Sequence, residues 1–399
     1  MSAHKWQFAA RFKVHAFGWQ SAKPIQRIKE ALTEIKLVAK KEPALGAAGA
    51  VLFLEKISPA LEQVDSSSGA IGSRVNQAID TLVPLIVKAS VPLSVRQQWL
   101  QRLWDALQND AMPYIEVLGD YWGELCAGTE CASLWADEFK PAVERVSQST
   151  GYAYFKGTTA YLSSLHGAGR YEELLAQLEQ PYFTSWWYRQ WGVRALVAMG
   201  RKNEALHYAE ASKNIINTPL SAVAKVCEDI LLSSGLHEEA YRLYALDANQ
   251  GLTHLAKFRG LIKKYPHKPA VNILHDLVAS QPGSEGKWFA AAKDAGLFDI
   301  AIALVSQSPT DPRTLIRASR DYAEKQTDFA LSAGLSALYW MARGYGYEIT
   351  TADVVEAYSS VINAASLSDF GHAEINGKIR EAVAGNTQIL AVLKDRLIG

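Results

Sequence analysis

Apolar residues recur along this chain at intervals of three and four rather than two, which is the period of an α-helix with one buried face. Strand-type alternation is absent from end to end. Four segments align without gaps, each opening on a glycine: Gly169-Arg-Tyr-Glu-Glu-Leu-Leu, Gly200-Arg-Lys-Asn-Glu-Ala-Leu, Gly235-Leu-His-Glu-Glu-Ala-Tyr and Gly296-Leu-Phe-Asp-Ile-Ala-Ile. Five, six and nine residues beyond the glycines stand Leu174, Leu175 and Leu178; Ala205, Leu206 and Ala209; Ala240, Tyr241 and Tyr244; Ala301, Ile302 and Val305. That spacing marks one side of a helix. Each glycine also follows an apolar, helix-periodic stretch, and glycine is favoured just past a helix C-terminus because it enters the left-handed conformation without steric cost. The repeating unit is therefore helix, tight glycine turn, helix.

The glycines are 31, 35 and 61 residues apart, so the last interval holds one repeat without its glycine. Lys264-Tyr-Pro-His-Lys-Pro269 is predicted to supply that turn, its prolines stopping a helix over Leu255–Lys264 and starting another over Ala270–Ala279. A further pair is predicted over Arg313–Lys325 and Asp328–Ala342, then Thr351–Ala365 and a terminal helix ending near Leu397. The first 150 residues read as helices with less regular repetition. Pro24 opens one with Ile25, Ile28, Leu32, Ile35 and Ala39 on a single stripe. Others are expected near Ala47–Ile57, Ala70–Lys88, Val95–Leu107, Tyr114–Cys126 and Ser133–Val146. A single amphipathic hairpin cannot bury its apolar face, so neighbours must complete it. The expected fold is all-α, an α-solenoid of stacked antiparallel helix pairs. Its expected divisions are a basic aromatic segment 1–22, a helical region 23–150, repeats over 151–343 and capping helices over 344–399.

On these residues the stretch 152–342 resembles the tetratricopeptide-like (TPR-like) helical-repeat superfamily. The likeness is strongest in Ala195-Leu-Val-Ala-Met-Gly-Arg-Lys-Asn-Glu-Ala-Leu-His-Tyr-Ala-Glu210, which is similar to that family's turn and second helix. The N-terminal half is similar to HEAT or armadillo stacking as a class. The resemblance implies hairpins whose first helices line a concave face that binds a protein or peptide.

Composition narrows the picture. With 41 basic and 41 acidic residues the chain carries no net charge, and 49% hydrophobic residues are too many for a disordered chain. Three cysteines are odd in number and too few for a disulfide framework, so a reducing, cytoplasmic setting is expected. The longest apolar stretch, Ala47–Leu54, is far shorter than the roughly 20 residues of a spanning helix, and no membrane span is expected. The opening residues lack a secretory signal. The absence of any acidic residue before Glu30 leaves an organelle-targeting segment open.

Chemistry is sparse. There is no HExxH or Cys-x-x-Cys pattern, no Gly-x-Ser-x-Gly elbow, and Gly371–Lys378 has the wrong spacing for a phosphate loop. The expectation is a non-enzymatic protein without catalytic residues, metal or cofactor, with Cys126 a small core residue. The loop Asp65–Arg74 reads as a turn whose serine caps the next helix, with an anion cradle as the other reading.

Charge is distributed unevenly: residues 1–41 carry +7 and residues 42–150 carry −7. Trp6, Phe8, Phe12, Phe17 and Trp19 are interleaved with the N-terminal cations. This segment is either a cap laying its aromatics on the first repeat or an arm for an anionic partner. The six first helices sum to +8 and the second helices to −4. That predicts a mildly basic groove edged by Trp186, Trp187, Tyr188, Trp191 and Trp288. Arg194, Arg259, Lys287, Trp288 and Arg317 are the candidate binding residues, cations for acidic partner groups and an indole as apolar anchor. The expected function is a scaffold holding a protein or peptide. The alternatives are nucleic-acid binding, against which zero net charge weighs, and an enzyme with a site between the two halves.

Overall fold

The computed structural model describes residues 4–149 and 153–397. The expected boundary at 150/151 and the opening Met-Ser-Ala lie outside the described residues. Within them every regular element is helical. The chain forms two compact units, Met1–Pro219 and Leu220–Gly399, and each has its own apolar core.

The first unit contains α1 (Ala22–Lys41), α2 (Pro43–Leu61), α3 (Ala70–Lys88), α4 (Leu93–Gln108), α5 (Trp122–Leu125), α6 (Thr129–Ser147), α7 (Thr158–Gly167), α8 (Tyr171–Leu178), α9 (Trp186–Ala198) and α10 (Lys202–Ser212). The predicted stripe of α1 is buried at Ile28, Leu32 and Ile35. Ahead of it, Trp6, Phe8, Phe12 and Phe17 are buried, and Phe8 and Phe12 meet Phe53 of α2 edge-on at 5.7 and 5.1 Å. The Glu34 carboxylate ties this segment to α1 by accepting the backbone N–H groups of Gln7 and Phe8. Four of the five N-terminal aromatics thus cover helices α1 and α2, and Trp19 alone of the five is exposed. Among the described residues α2 is the one helix long and apolar enough to cross a membrane, with 61% of its most apolar window buried inside the protein. Glu55 and Lys56 interrupt its apolar run in the sequence.

The expected helix Tyr114–Cys126 is not continuous. A 3-10 turn, Glu116–Tyr121, runs into the short α5. The cause is tertiary: the Ser163 hydroxyl of α7 accepts the Gly123 N–H and donates to the Asp120 carbonyl, both at 3.0 Å. The backbones of α5 and α7 touch there, since a Cβ on Gly123 would stand 2.2 Å from the Ser163 carbonyl oxygen.

The second unit contains α11 (Leu220–Leu232), α12 (His237–Ala240), α13 (Leu246–Ala248), α14 (His254–Lys264), α15 (Ala270–Ala279), α16 (Phe289–Asp294), α17 (Phe298–Gln307), α18 (Pro312–Tyr322), α19 (Thr327–Ala342), α20 (Thr351–Ser366), α21 (His372–Ala382) and α22 (Thr387–Leu393). A π-helical turn, Tyr241–Ala245, joins α12 to α13. The Lys264–Pro269 turn separates α14 from α15 as predicted. The terminal helix is two helices, because Asn386 caps α22 at the Ile389 N–H and donates its amide to the Ala342 carbonyl.

The four repeat glycines occupy equivalent turns. Gly169, Gly200, Gly235 and Gly296 have φ of 72°, 77°, 76° and 72°. In each, the next residue's N–H reaches back five residues to a helix carbonyl: Arg170 to Leu165, Arg201 to Leu196, Leu236 to Leu231 and Leu297 to Ala292, at 2.8–3.0 Å. That bond, with the glycine N–H bonded three residues back, is a Schellman motif. Gly344 makes a fifth, with φ of 82° and Tyr345 bonded to the Trp340 carbonyl. Beyond the four repeat turns, Leu174, Ala205, Ala240 and Ala301 are all fully buried. Leu178, Ala209 and Val305 are buried too, but Tyr244 is only half-buried. The π turn adds a residue to the helical phase and sends Ala245 inward instead.

In the second unit, consecutive helices pair and the pairs stack in two layers. Helices α14 and α16 are neighbours, as are α18 and α20; α17, α19 and α21 pack in succession on the other side.

Candidate functional site

The first-helix layer of the second unit is where a groove was expected, and its cations are held mainly by acids of adjacent repeats. Lys264 at the end of α14 pairs with Glu228 of α11. Arg259 of α14 forms a two-bonded pair with Asp294 of α16. Lys293 of α16 sits 5.2 Å over the Tyr322 ring of α18. Arg313 of α18 grips Asp353 of α20 with bonds of 2.8 and 3.0 Å, and Arg320 reaches Glu356 at 3.4 Å. Arg313 and the Thr350 backbone N–H hold the Asp353 carboxyl well below the usual carboxylate range. In the first unit the repeat-spaced pairs join α6, α8 and α10 instead: Arg170, just ahead of α8, bonds Asp137 of α6, Lys140 of α6 bonds Glu173 of α8, and Arg201, just ahead of α10, bonds Glu172 of α8.

These pairs link residues 36, 35, 40 and 36 positions apart in the second unit and 33, 33 and 29 apart in the first. Those separations are close to one repeat. Opposite charges at repeat spacing were the signal that would have revealed them. Summing charge helix by helix included Glu228 and Asp294 but does not show which cation each of them holds.

The predicted binding residues fall in both units. Arg194 lies on α9 in the first unit, exposed, its guanidinium 4.3 Å over the Trp191 ring. In the second unit Arg259 is exposed but joined to Asp294. Lys287 is exposed, and no acidic residue among the described residues pairs with it. Arg317 is exposed in a shallow cavity of about 220 Å³ with Arg313, Arg320 and Glu356, and it donates to the Thr314 hydroxyl at 3.1 Å. The structure therefore brings Arg317 together with two further arginines and not with the other predicted residues.

Trp288 must be corrected. It is 0% exposed, and its ring meets His254 edge-on at 4.6 Å inside the core. Glu285–Trp288 is a 3-10 turn, and its three residues per turn reset the face that an α-helical count assigns. Trp186 and Trp191 are likewise buried, whereas Trp187 is 65% exposed.

A second concavity, missed from sequence, surrounds the π turn. This cleft of about 610 Å³ is lined by Glu238, Tyr241, Arg242, Lys268 and Asp276, among others. The Tyr241 hydroxyl donates to Asp276 at 2.7 Å, and Lys268 stands 4.3 Å over the Tyr241 ring while bonding Glu238. Burial, reinforced by the bond to Asp276, raises the Tyr241 pKa. Nearby the fully buried Glu228 accepts from Asn249, Lys264 and Tyr265. A buried carboxylate with three donors is a structural hub tying α11 to α14. No local motif announces a π insertion.

No family model matches the chain, and no curated protein matches it. A solved structure titled "Crystal structure of APC/C hetero-tetramer Cut9-Hcn1" aligns with 95% of this chain and 82% of that one, at 12% identity and a TM-score of 0.23. The assignment to helical-repeat architecture rests on the turns and layers described above.

Proposed function

We propose that this chain is a non-enzymatic, TPR-like helical-repeat scaffold that holds an acidic segment of a partner protein on its first-helix surface. The observation carrying the reading is the ladder of ion pairs between adjacent first helices. It ties α11 to α14, α14 to α16 and α18 to α20, with Lys293 over the Tyr322 ring between α16 and α18, and pre-organisation of this kind lowers the ordering cost of binding. Lys287 and Arg317 remain as exposed cations without an acidic partner among the described residues, and Arg194 offers a further one in the first unit. Guanidinium groups suit carboxylate recognition because their fork matches both oxygens. Cysteines that form no disulfide among the described residues fit the reducing, cytoplasmic setting that goes with this role. The nucleic-acid alternative gains no support, since Trp6, Phe8, Phe12 and Phe17 are occupied in packing.

The test is affinity purification of the full chain from its native host with mass spectrometry, repeated with Arg194, Lys287 and Arg317 each reversed to glutamate. Loss of one shared set of partners with Lys287→Glu and Arg317→Glu is expected. Arg259→Glu serves as the comparison, since it sets two acids against each other at Asp294 and weakens a repeat junction. Partner sets unchanged across all the reversals would overturn the proposal.

A further inference from the structure

Cys126 and Cys131 meet at the joint between α5 and α6. Cys126 closes α5 and Cys131 stands in the first turn of α6. Between them Ala127 takes φ of 53°, a left-handed conformation uncommon for a residue with a Cβ. The two thiols are neighbours across this joint, and each shifts the other's titration. Both residues line a surface cavity of about 460 Å³, together with Lys88, Arg96 and Glu130. Cys126 and Cys131 are themselves 3% and 2% exposed, and Cys227, in α11 of the other unit, is 0% exposed.

Arg96 makes this joint unusual. The residue is 5% exposed, and its guanidinium donates to the carbonyls of Ile86 and Ala89 at 2.6 Å and of Leu125 at 3.4 Å. No carboxylate among the described residues forms an ion pair with it. A guanidinium stays cationic in proteins, so this buried charge is balanced by the carbonyl ends of α3 and α5 and faces the thiol pair. Cys131 also stands at the N-terminal, positive end of the 19-residue α6. The hydrogen bond from Cys126, and then Arg96, hold the Cys131 thiol below its ordinary range against the opposing pull of burial and Glu130. The same hydrogen bond and burial push Cys126 up. A cation, a helix N-terminus and a neighbouring second thiol are the features that make one cysteine nucleophilic and the other its resolving partner.

We propose that Cys131 and Cys126 form a peroxide-sensitive thiol pair in which Cys131 is oxidised first and Cys126 resolves it to a disulfide. The Cys131 thiolate attacks one oxygen of hydrogen peroxide. The S–O bond forms, the O–O bond breaks, and hydroxide leaves as water with the proton that Cys131 released to solvent on ionising, so sulfur loses two electrons and the peroxide gains them. The Cys126 sulfur then attacks Cys131, forming the S–S bond and breaking S–O. The departing hydroxide leaves as water with the Cys126 proton. Two thiols and one peroxide yield one disulfide and two waters, and a dithiol reductant reverses the change. The site is independent of the partner surface proposed above.

The test treats the full-length protein with hydrogen peroxide, alkylates the remaining thiols after unfolding, and reads the intact mass. The expected result is loss of two hydrogens and two alkylation sites, with Cys227 still alkylated and dithiothreitol restoring all three. With Cys126→Ser, peroxide and dimedone together are expected to place an adduct on Cys131. With Cys131→Ser, no adduct is expected on Cys126. Arg96→Gln keeps two N–H donors for the carbonyls but removes the charge, and about tenfold slower alkylation of Cys131 is expected. The wild-type measurement decides the matter even if that variant does not fold. Three thiols surviving peroxide, or Cys227 oxidised as fast as Cys131, would overturn the proposal.

Discussion

Two stretches of this chain end their helices by different means. From α7 to α19 one backbone device recurs, a left-handed glycine with a bond reaching five residues back. From α1 to α6 each junction has its own solution. Pro43 opens α2, Gly69 with φ of 70° precedes α3, the Arg96 guanidinium caps α3 and α5, and a left-handed Ala127 joins α5 to α6. The recurrent device needs only local chain, so its effects should be small, alike and separable. The bespoke junctions differ from one another, and the one closed by Arg96 depends on a group brought from α4, so each should matter on its own terms.

Substitutions can break or sharpen this contrast. The largest loss is expected from Trp288→Ala, about 4 kcal/mol in urea unfolding, as for other fully buried tryptophans. A loss under about 1 kcal/mol with altered partner recovery would instead return Trp288 to the binding surface. Gly123→Ala comes next, at about 2 kcal/mol, because its Cβ would press on the backbone of α7, which cannot turn aside as a side chain can. Gly200→Ala should cost its unit about 1 kcal/mol, and Gly296→Ala the same in the other. Nothing lies within 4 Å of a Cβ at either position, so the cost is conformational and nearly equal. Unequal values would mean that the turns are not equivalent.

The smallest effect is expected from Asp353→Asn. Asp353 has a lowered pKa in the folded chain, so the stability it contributes is fully present above about pH 4 and fades as pH falls through the lowered value. Because Arg313 is 44% exposed, wild type and variant should differ by no more than about 1 kcal/mol near neutrality. Their unfolding curves should converge in acid. A gap that widens in acid would contradict the assignment.

Much of the helix map could be read directly. α3 matches its prediction at both ends, and the α14/α15 turn lies where the prolines placed it. The misreadings share one cause. At Tyr244 a π turn, and at Trp288 a 3-10 turn, altered the helical count. At Asp120–Gly123 a hydroxyl from α7 took over backbone groups that a continuous helix would have bonded itself. Arg194, Lys287 and Arg317, candidates for binding from the sequence, are exposed. Arg259 was also found, but not the aspartate 35 residues onward that holds it.

Helix positions and glycine turns are therefore properties of the linear chain, because apolar period and left-handed φ are settled among residues within one or two turns of each other. Which cations face outward, which tryptophans are hidden and which thiols are neighbours belong to the folded molecule. Those outcomes depend on groups from separate helices meeting in space, and on the burial and charge that their neighbours impose.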